Sequence, residues 1–369
     1  MSQLFSPLTL RGLTLRNRTV VAPMCQYSAQ MGLANDWHLV HLGRFAIGGF
    51  GLVIVEATGV EPRGRITYGC LGLWSDAQIA PLGRIVDFVH AQGAAIGIQL
   101  AHAGRKASSP LPFLKDPDAE QKARHSYEDW QPVAPSAFPH DAGSKVPHAL
   151  TLEEIAGIRT AFVDAAKRAG TAGFDVIELH CAHGYLLNEF LSPLANRRED
   201  QYGGARENRM RLPLEIAEAV RKVWPADKPL FARISTTDWH TDGWQVEDSV
   251  VLARAFKARG VDVIDCSSGG FAESRIEAGP GYQLGLADAV RKGADIATMT
   301  VGLMGDADMA AAAIAEGKAD LVALARPALE DPNWPVRALA ATGAPEVYAL
   351  HAKQAGYAVR GLHKALDKA

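Results

Sequence analysis

Eight short apolar segments, separated by stretches with helical spacing, constrain this chain's fold more than any other feature. They are 19–22, 51–57 (GLVIVEA), 94–100 (AAIGIQL), 173–179 (GFDVIEL), 229–234 (PLFARI), 261–266, 297–301 and 321–324. Most are aliphatic or β-branched without clean polar alternation, the pattern of strands buried on both faces of a parallel sheet. Helical segments fall between them at 36–48, 76–92, 151–172, 207–223, 246–259, 282–291 and 306–316. Asp36 can cap the first of these, and Thr151 and Glu154 have the spacing of a capping box. Eight strand–helix units closing on themselves predict an α/β fold, a (β/α)8 TIM barrel. An open doubly wound sheet is the alternative. Against it, the first strand–helix turn has no Gly-x-Gly-x-x-Gly. Segment 8–18 (LTLRGLTLRNR) reads as an N-terminal hairpin, turning at Gly12, that caps one end. Segment 104–147, rich in proline and polar residues, is a long insertion after the third strand, of a length suited to a lid or binding loop.

The length of 369 residues suits one barrel domain spanning 1–369, and a hydrophobic content of 48% supplies its core. Lys and Arg total 38 against 41 Asp and Glu, for a net charge of −3. That balance argues against broad binding to nucleic acid or to an anionic membrane. Cys25, Cys70, Cys181 and Cys266 form no Cys-x-x-Cys pair, which fits a reducing compartment and argues against a structural zinc or iron–sulfur motif. The first residues (MSQLFSP) lack a basic region followed by an apolar run, and no stretch is long and apolar enough to span a bilayer. A cytoplasmic location is expected.

Barrel enzymes place their chemistry at the C-terminal ends of the strands. Those ends carry Cys25 and Tyr27, then Ala57 and Thr58, then Gln99 and His102. The fourth carries His180, His183 and Tyr185, the fifth Arg233, the sixth Ser267 and Ser268, the seventh Gly302 and the eighth Ala325 and Arg326. The ring has no cluster of carboxylates of the kind that a magnesium enolase-type site or a glycosidase needs. It has no Ser-His-Asp arrangement either. After the fourth strand, two imidazoles and a phenol offer hydrogen-bond donors and a proton source. Each could instead be a satisfied polar or packing residue. His180 and His183 could also be two metal ligands, which would require a third; His38 and His41 are candidates. Small residues and Arg326 on three consecutive units suit a phosphate, which gains amide donors there. Gln99 and Arg233 suit a heterocycle on which negative charge develops when it is reduced.

Several segments in this order resemble the old yellow enzyme family of FMN-dependent ene-reductases, and within it the bacterial, thermophilic-like branch. They are APMCQY (22–27), EAT (56–58), QLAHAGRK (99–106), HCAHGYL (180–186), NRR (196–198), YGG (202–204) and GPGYQ (279–283). Cysteine at the end of the first strand, in place of threonine, points to the branch. The resemblance implies that Pro23, Met24, Cys25, Ala57, Gln99 and Arg233 contact the isoalloxazine or ribityl part of FMN. It implies that Ser267, Gly302, Ala325 and Arg326 hold the phosphate, with alanine at 325 where relatives usually have glycine. Cys25 would tune the flavin potential without being a covalent nucleophile. His180 and His183 would hydrogen-bond an enone oxygen, Tyr185 would protonate the α carbon, and Tyr27 would line the substrate pocket.

By the same resemblance, NADPH or NADH reduces FMN, and hydride then passes from the flavin N5 to the β carbon of an α,β-unsaturated carbonyl compound. No metal is implied. Tyr357 and the run Arg360-Gly361-Leu362 resemble a tail whose arginine reaches a neighbouring subunit's site, which implies a homodimer or dimer of dimers. Residues 108–147 have no residue-level match. A metal-dependent barrel hydrolase using His180 and His183 and a non-catalytic flavin redox sensor using Cys25 are the competing readings.

Overall fold

The computed structural model describes residues 2–113, 129–342 and 347–366. Two antiparallel strands, β1 (Leu8–Leu10) and β2 (Leu13–Leu15), come first. The barrel strands are β3 (Thr19–Val21), β4 (Leu52–Gly59), β5 (Ala95–Ala101), β8 (Val176–Cys181), β9 (Leu230–Ser235), β10 (Val263–Ser267), β11 (Ala297–Thr300) and β12 (Leu321–Leu324). All eight pair in parallel in chain order, and β12 closes on β3. The expected TIM barrel is therefore the fold. Between β5 and β8, two-residue strands β6 (Val133–Ala134) and β7 (His148–Ala149) pair within the insertion. Residues 114–128 of that insertion lie outside the described residues.

Strand parity explains why the segments read as apolar throughout. Ile177, Leu179 and Cys181 pack outward into the main core under the helices. Val176 belongs instead to the inner cluster, with Leu52, Phe231, Val263, Met299 and Leu321. Both faces are dry, so neither can be polar at that level. The hairpin leucines Leu8, Leu10, Leu13 and Leu15 pack on this inner cluster and close the N-terminal mouth. Arg11 Nε holds the hairpin down on Asp262 Oδ1 at 2.7 Å. A barrel plugged at one end leaves the other for chemistry.

The helix Leu152–Thr171 starts at the expected box: Glu154 N donates to Thr151 Oγ1 at 3.2 Å, and Thr151 N to Glu154 Oε2 at 2.8 Å. Such a cap contributes about 1 kcal/mol. Asn35, not Asp36, caps Asp36–Ile47, accepting from Trp37 N at 3.0 Å. The single helix expected over 207–223 is two, Arg206–Arg209 and Arg211–Val223. Pro213 is the reason, since its ring excludes the carbonyl of residue 209 from a continuous helix. A further helix, Leu186–Leu191, follows Tyr185 directly. Among the described residues no helix is long and apolar enough to cross a membrane.

Candidate active site

Strand β8 delivers His180 on its inner face, and the turn after it delivers His183 and Tyr185. Their rings meet edge to face: His180 lies 5.2 Å from His183 and 5.0 Å from Tyr185, centroid to centroid. His183 sits at φ +62°, a conformation that disfavours side chains by roughly 1–2 kcal/mol. Its amide donates to Ser235 Oγ at 2.9 Å, and Ser235 Oγ donates to Gly269 O at 2.6 Å, which holds the turn. The turn also needs Gly184 and Gly270 where the two loops cross. A Cβ at Gly270 would stand 2.1 Å from the His183 carbonyl carbon. Lys106 Nζ clamps the same corner, donating to His183 O at 2.9 Å and Gly270 O at 3.2 Å, and lies 5.0 Å over the Tyr185 ring.

Burial holds both imidazoles well below the usual histidine range, with Arg233 and Lys106 adding repulsion. Both are therefore neutral. His180 Nδ1 accepts the Ala182 amide at 3.4 Å, so its proton is on Nε2. His183 Nε2 and Ser267 Oγ are hydrogen-bonded at 2.6 Å. Burial, then the neighbouring Cys25, Tyr27 and Cys70, raises the Tyr185 phenol well above its ordinary range. It keeps its proton at every working pH. The arrangement is a cluster of neutral donors at the C-terminal end of β8, able to meet a negative oxygen and to give up one proton. Among the described residues no group of three or more His, Cys, Asp or Glu side chains could hold a metal ion.

Cys25, Tyr27 and Cys70 stand within electrostatic reach of Tyr185. Cys25 bonds the Cys70 thiol and accepts from Ala57 N–H; the thiol contact and burial push it well up, so it remains a thiol. Tyr27 takes φ +52° and packs edge-on against Phe113 at 6.3 Å. Glu56 secures this loop from behind, its Oε2 accepting the Gln26 amide at 2.7 Å and its Oε1 3.2 Å from His38 Nε2. His38 is committed to that pair, and His41 to Phe45, whose ring centroid is 5.0 Å away. Met24 packs on the outer core, and His102 is tied to Glu61 at 2.8 Å.

Gln99 and Arg233 form the buried floor. Gln99 Nε2 donates to Glu178 Oε1 at 2.8 Å, and Arg233 Nε lies 3.0 Å from Asp265 Oδ2. From Arg233 a cavity of about 120 Å³ runs past Ser267 and Gly302 to Ala325 and Arg326. Gly302 has φ +106°, and a Cβ there would meet Gln283 and Tyr282 at 2.8 Å. Among the described residues the amides of Gly302, Leu303, Ala325 and Arg326 have no backbone acceptor. Ala325 adopts φ −105°, not the positive φ that would call for glycine. A donor-lined cavity beginning at a guanidinium fits a phosphate joined to a ring system. These residues therefore fit FMN, Gly302 to Arg326 at its phosphate and Gln99 and Arg233 at its ring. The helix after Ala325 is only Arg326–Glu330, so any attraction for a phosphate there would come from the amides and Arg326 rather than from a long dipole.

Behind Lys106, Glu189 is fully buried, accepting the Arg105 amide at 2.8 Å while its Oε2 has no partner. Burial pushes its carboxyl from 4.5 up to about 8. A raised acid stabilises the fold fully below pH 4.5 and loses that contribution as pH rises to about 8. Each pH unit of that interval removes up to about 1.4 kcal/mol. Glu189→Gln keeps the acceptor and cannot ionise. Its thermal unfolding is expected to match the parent at pH 4.5 and to exceed it by several degrees at pH 9. Equal melting temperatures at pH 9 would contradict the burial argument.

The sequence pattern of the NADH:flavin oxidoreductase / NADH oxidase family matches residues 3–342. The chain belongs to that family. It is 48% identical to an NADPH dehydrogenase of Geobacillus thermodenitrificans, over 91% of this chain and 93% of the relative. The structure of a 2-naphthoyl-CoA reductase superposes with a TM-score of 0.83 at 27% identity, over 93% of this chain and 53% of that one, so the chain spans about half of that protein. An old yellow enzyme homologue from Zymomonas mobilis superposes with a TM-score of 0.74 at 26% identity, over 91% and 92%. Old yellow enzymes are thus the relatives, and this member is an NAD(P)H-dependent flavin oxidoreductase using FMN.

The structure brings together Cys25, Tyr27, His180, His183 and Tyr185, and separately Arg233, Ser267, Gly302, Ala325 and Arg326. Ser267 touches both groups, through His183 and the cavity wall. Pro23 follows β3 beside Cys25. Arg360 is on the exposed helix Lys353–Leu366, 5.8 Å from the Tyr348 ring, apart from the site within its own chain. Sequence reasoning missed Glu56, Lys106, Glu178, Glu189, Ser235 and Asp265. Parity could have found three: Glu178, Asp265 and Ser235 each stand two residues from an inward-facing site residue.

Proposed function

We propose that this old yellow enzyme relative reduces the carbon–carbon double bond of α,β-unsaturated carbonyl compounds. The observation that carries the reading is the meeting of two neutral imidazoles and a half-buried, protonated phenol after β8, at the C-terminal end of the barrel. FMN, once reduced by NAD(P)H, supplies the hydride that goes to the β carbon. The chain's own residues do the rest. His180 Nε2–H and His183 bind the carbonyl oxygen, where negative charge grows during the transfer. A neutral N–H suits that task because it stabilises charge without giving its proton away. Tyr185 holds a proton at its phenol oxygen and delivers it to the α carbon. Tyr27 lines the substrate side, and Cys25, a thiol at the edge of the ring site, tunes the cofactor's potential. Gln99, Ala57, Pro23, Met24 and Arg233 border the ring and ribityl chain, while Ser267, Gly302, Ala325 and Arg326 hold the phosphate.

Leu362 and Leu366, exposed and four residues apart on helix Lys353–Leu366, give the C-terminal helix an apolar stripe. We take that stripe as the contact of a homodimer, or dimer of dimers, in which Arg360 reaches the neighbouring site. The direct test is product analysis after incubation with NADPH and cyclohexenone. Cyclohexanone is expected. Cyclohexenol, or NADPH oxidation with no organic product, would overturn the assignment.

A further inference from the structure

The barrel interior turns from apolar to charged at one level, and the charges there do not balance. Gln99, Glu178, Arg233 and Asp265 are 2%, 0%, 7% and 0% exposed. The backbone fixes their partnership, since Gln99 pairs with Glu178 and Arg233 with Asp265 in the strand registers. Each side chain read as bordering the FMN ring thus has a carboxyl behind it, at 2.8 Å for Gln99 and 3.0 Å for Arg233. One guanidinium can balance one carboxylate. A second carboxylate would be an uncompensated buried charge, which is strongly unfavourable. Glu178 Oε2 has no hydrogen-bond partner. The groups facing Glu178 are Gln99 from β5, Arg233 from β9 and Asp265 from β10. Burial, with the Asp265 charge added, raises its carboxyl to about 8, so at neutral pH the acid is uncharged.

We propose that Glu178 is a positioning residue for the cofactor: a neutral acid that fixes the Gln99 amide and keeps the group beneath the reduced ring from carrying a net negative charge. The inference rests on the reading of Gln99 and Arg233 as FMN ligands. With Glu178 neutral, the group carries Arg233 against Asp265 and sums to zero. With Glu178 ionised, it carries a net negative charge beneath a ring that itself becomes more negative on reduction. Reduction is then disfavoured, and it draws a proton onto Glu178. The flavin potential should therefore fall more steeply with pH above about 8 than below it.

The test compares FMN-loaded wild type with Glu178→Gln, recording the midpoint potential from pH 6 to 10 and the FMN dissociation constant. Glutamine keeps a hydrogen bond to Gln99 but cannot ionise. Its FMN affinity and its potential at pH 7 should match the wild type, and the steepening should vanish. At pH 9.5 the wild type should favour reduced over oxidised FMN about tenfold less than the variant, about 30 mV for a two-electron couple. Identical potentials across the range would overturn the proposal. Glu178→Leu removes the partner of Gln99 and should weaken FMN binding at least tenfold; unchanged affinity would overturn the positioning role. If the leucine variant does not fold, the glutamine profile decides alone. A wild type that binds no FMN would remove the underlying reading of the site, and this inference with it.

Discussion

Tyr185→Phe is expected to slow alkene reduction by about 10²- to 10⁴-fold, the usual contribution of a positioned general acid. Reduction of the flavin by NADPH should continue at close to the parental rate. The asymmetry follows from position. The half-buried phenol stands between His180 and the Lys106 ammonium, and desolvation holds its proton firmly. Only the step that needs a proton at the α carbon uses it. Phenylalanine preserves the ring's edge-to-face contact with His180 and removes one oxygen. Stopped-flow measurement of the two half-reactions separates the outcomes. Equal losses in both would mean that the variant disturbs the cofactor site, and Tyr185 would not be the proton donor.

Replacing either imidazole should cost nearly as much. His180→Leu removes an N–H donor from the carbonyl oxygen, and one such donor accounts for about 10²- to 10³-fold in rate, or about 3–4 kcal/mol. His180→Asn restores an N–H and should recover part of the loss. The pH dependence is a second, independent readout. Burial, Arg233 and Lys106 hold both imidazoles neutral far below pH 6.5. A depressed imidazole pKa means that neither ring gains a proton as pH falls from 8 to 6.5, so the alkene half-reaction should show no histidine step there; below that span Asp265, raised to about 6 by burial, takes up a proton beside Arg233. A histidine step above pH 6.5 would show a charged imidazole in the working site and contradict the electrostatics. His183→Leu should cost a similar factor, and the double variant less than the product of the two, because both donors serve one oxygen.

The barrel was legible because eight doubly buried strands impose a composition that little else produces. The polar chemistry at the strand ends was legible too, since His180, His183, Tyr185 and Arg233 interrupt apolar runs without a folding reason. What supports them was not. Lys106 closes its two bonds to carbonyls that are 77 and 164 residues away in sequence. Ser235, Glu178 and Asp265 occupy strand interiors, where a polar residue reads as noise until the barrel's parity is known. The break at Met210 turns on a single proline inside an otherwise regular helical pattern. Glu189 lies on a helix of six residues that has too few turns to show a period.

The central claim is that a flavin reduced by NAD(P)H at this site gives its hydride to an activated alkene. The visible spectrum of the purified, FMN-loaded protein under anaerobic conditions tests it in one cuvette. Adding NADPH should bleach the flavin bands, and adding cyclohexenone should restore them with one equivalent of cyclohexanone formed. Bands that bleach but do not return with any enone would contradict the reading as an alkene reductase.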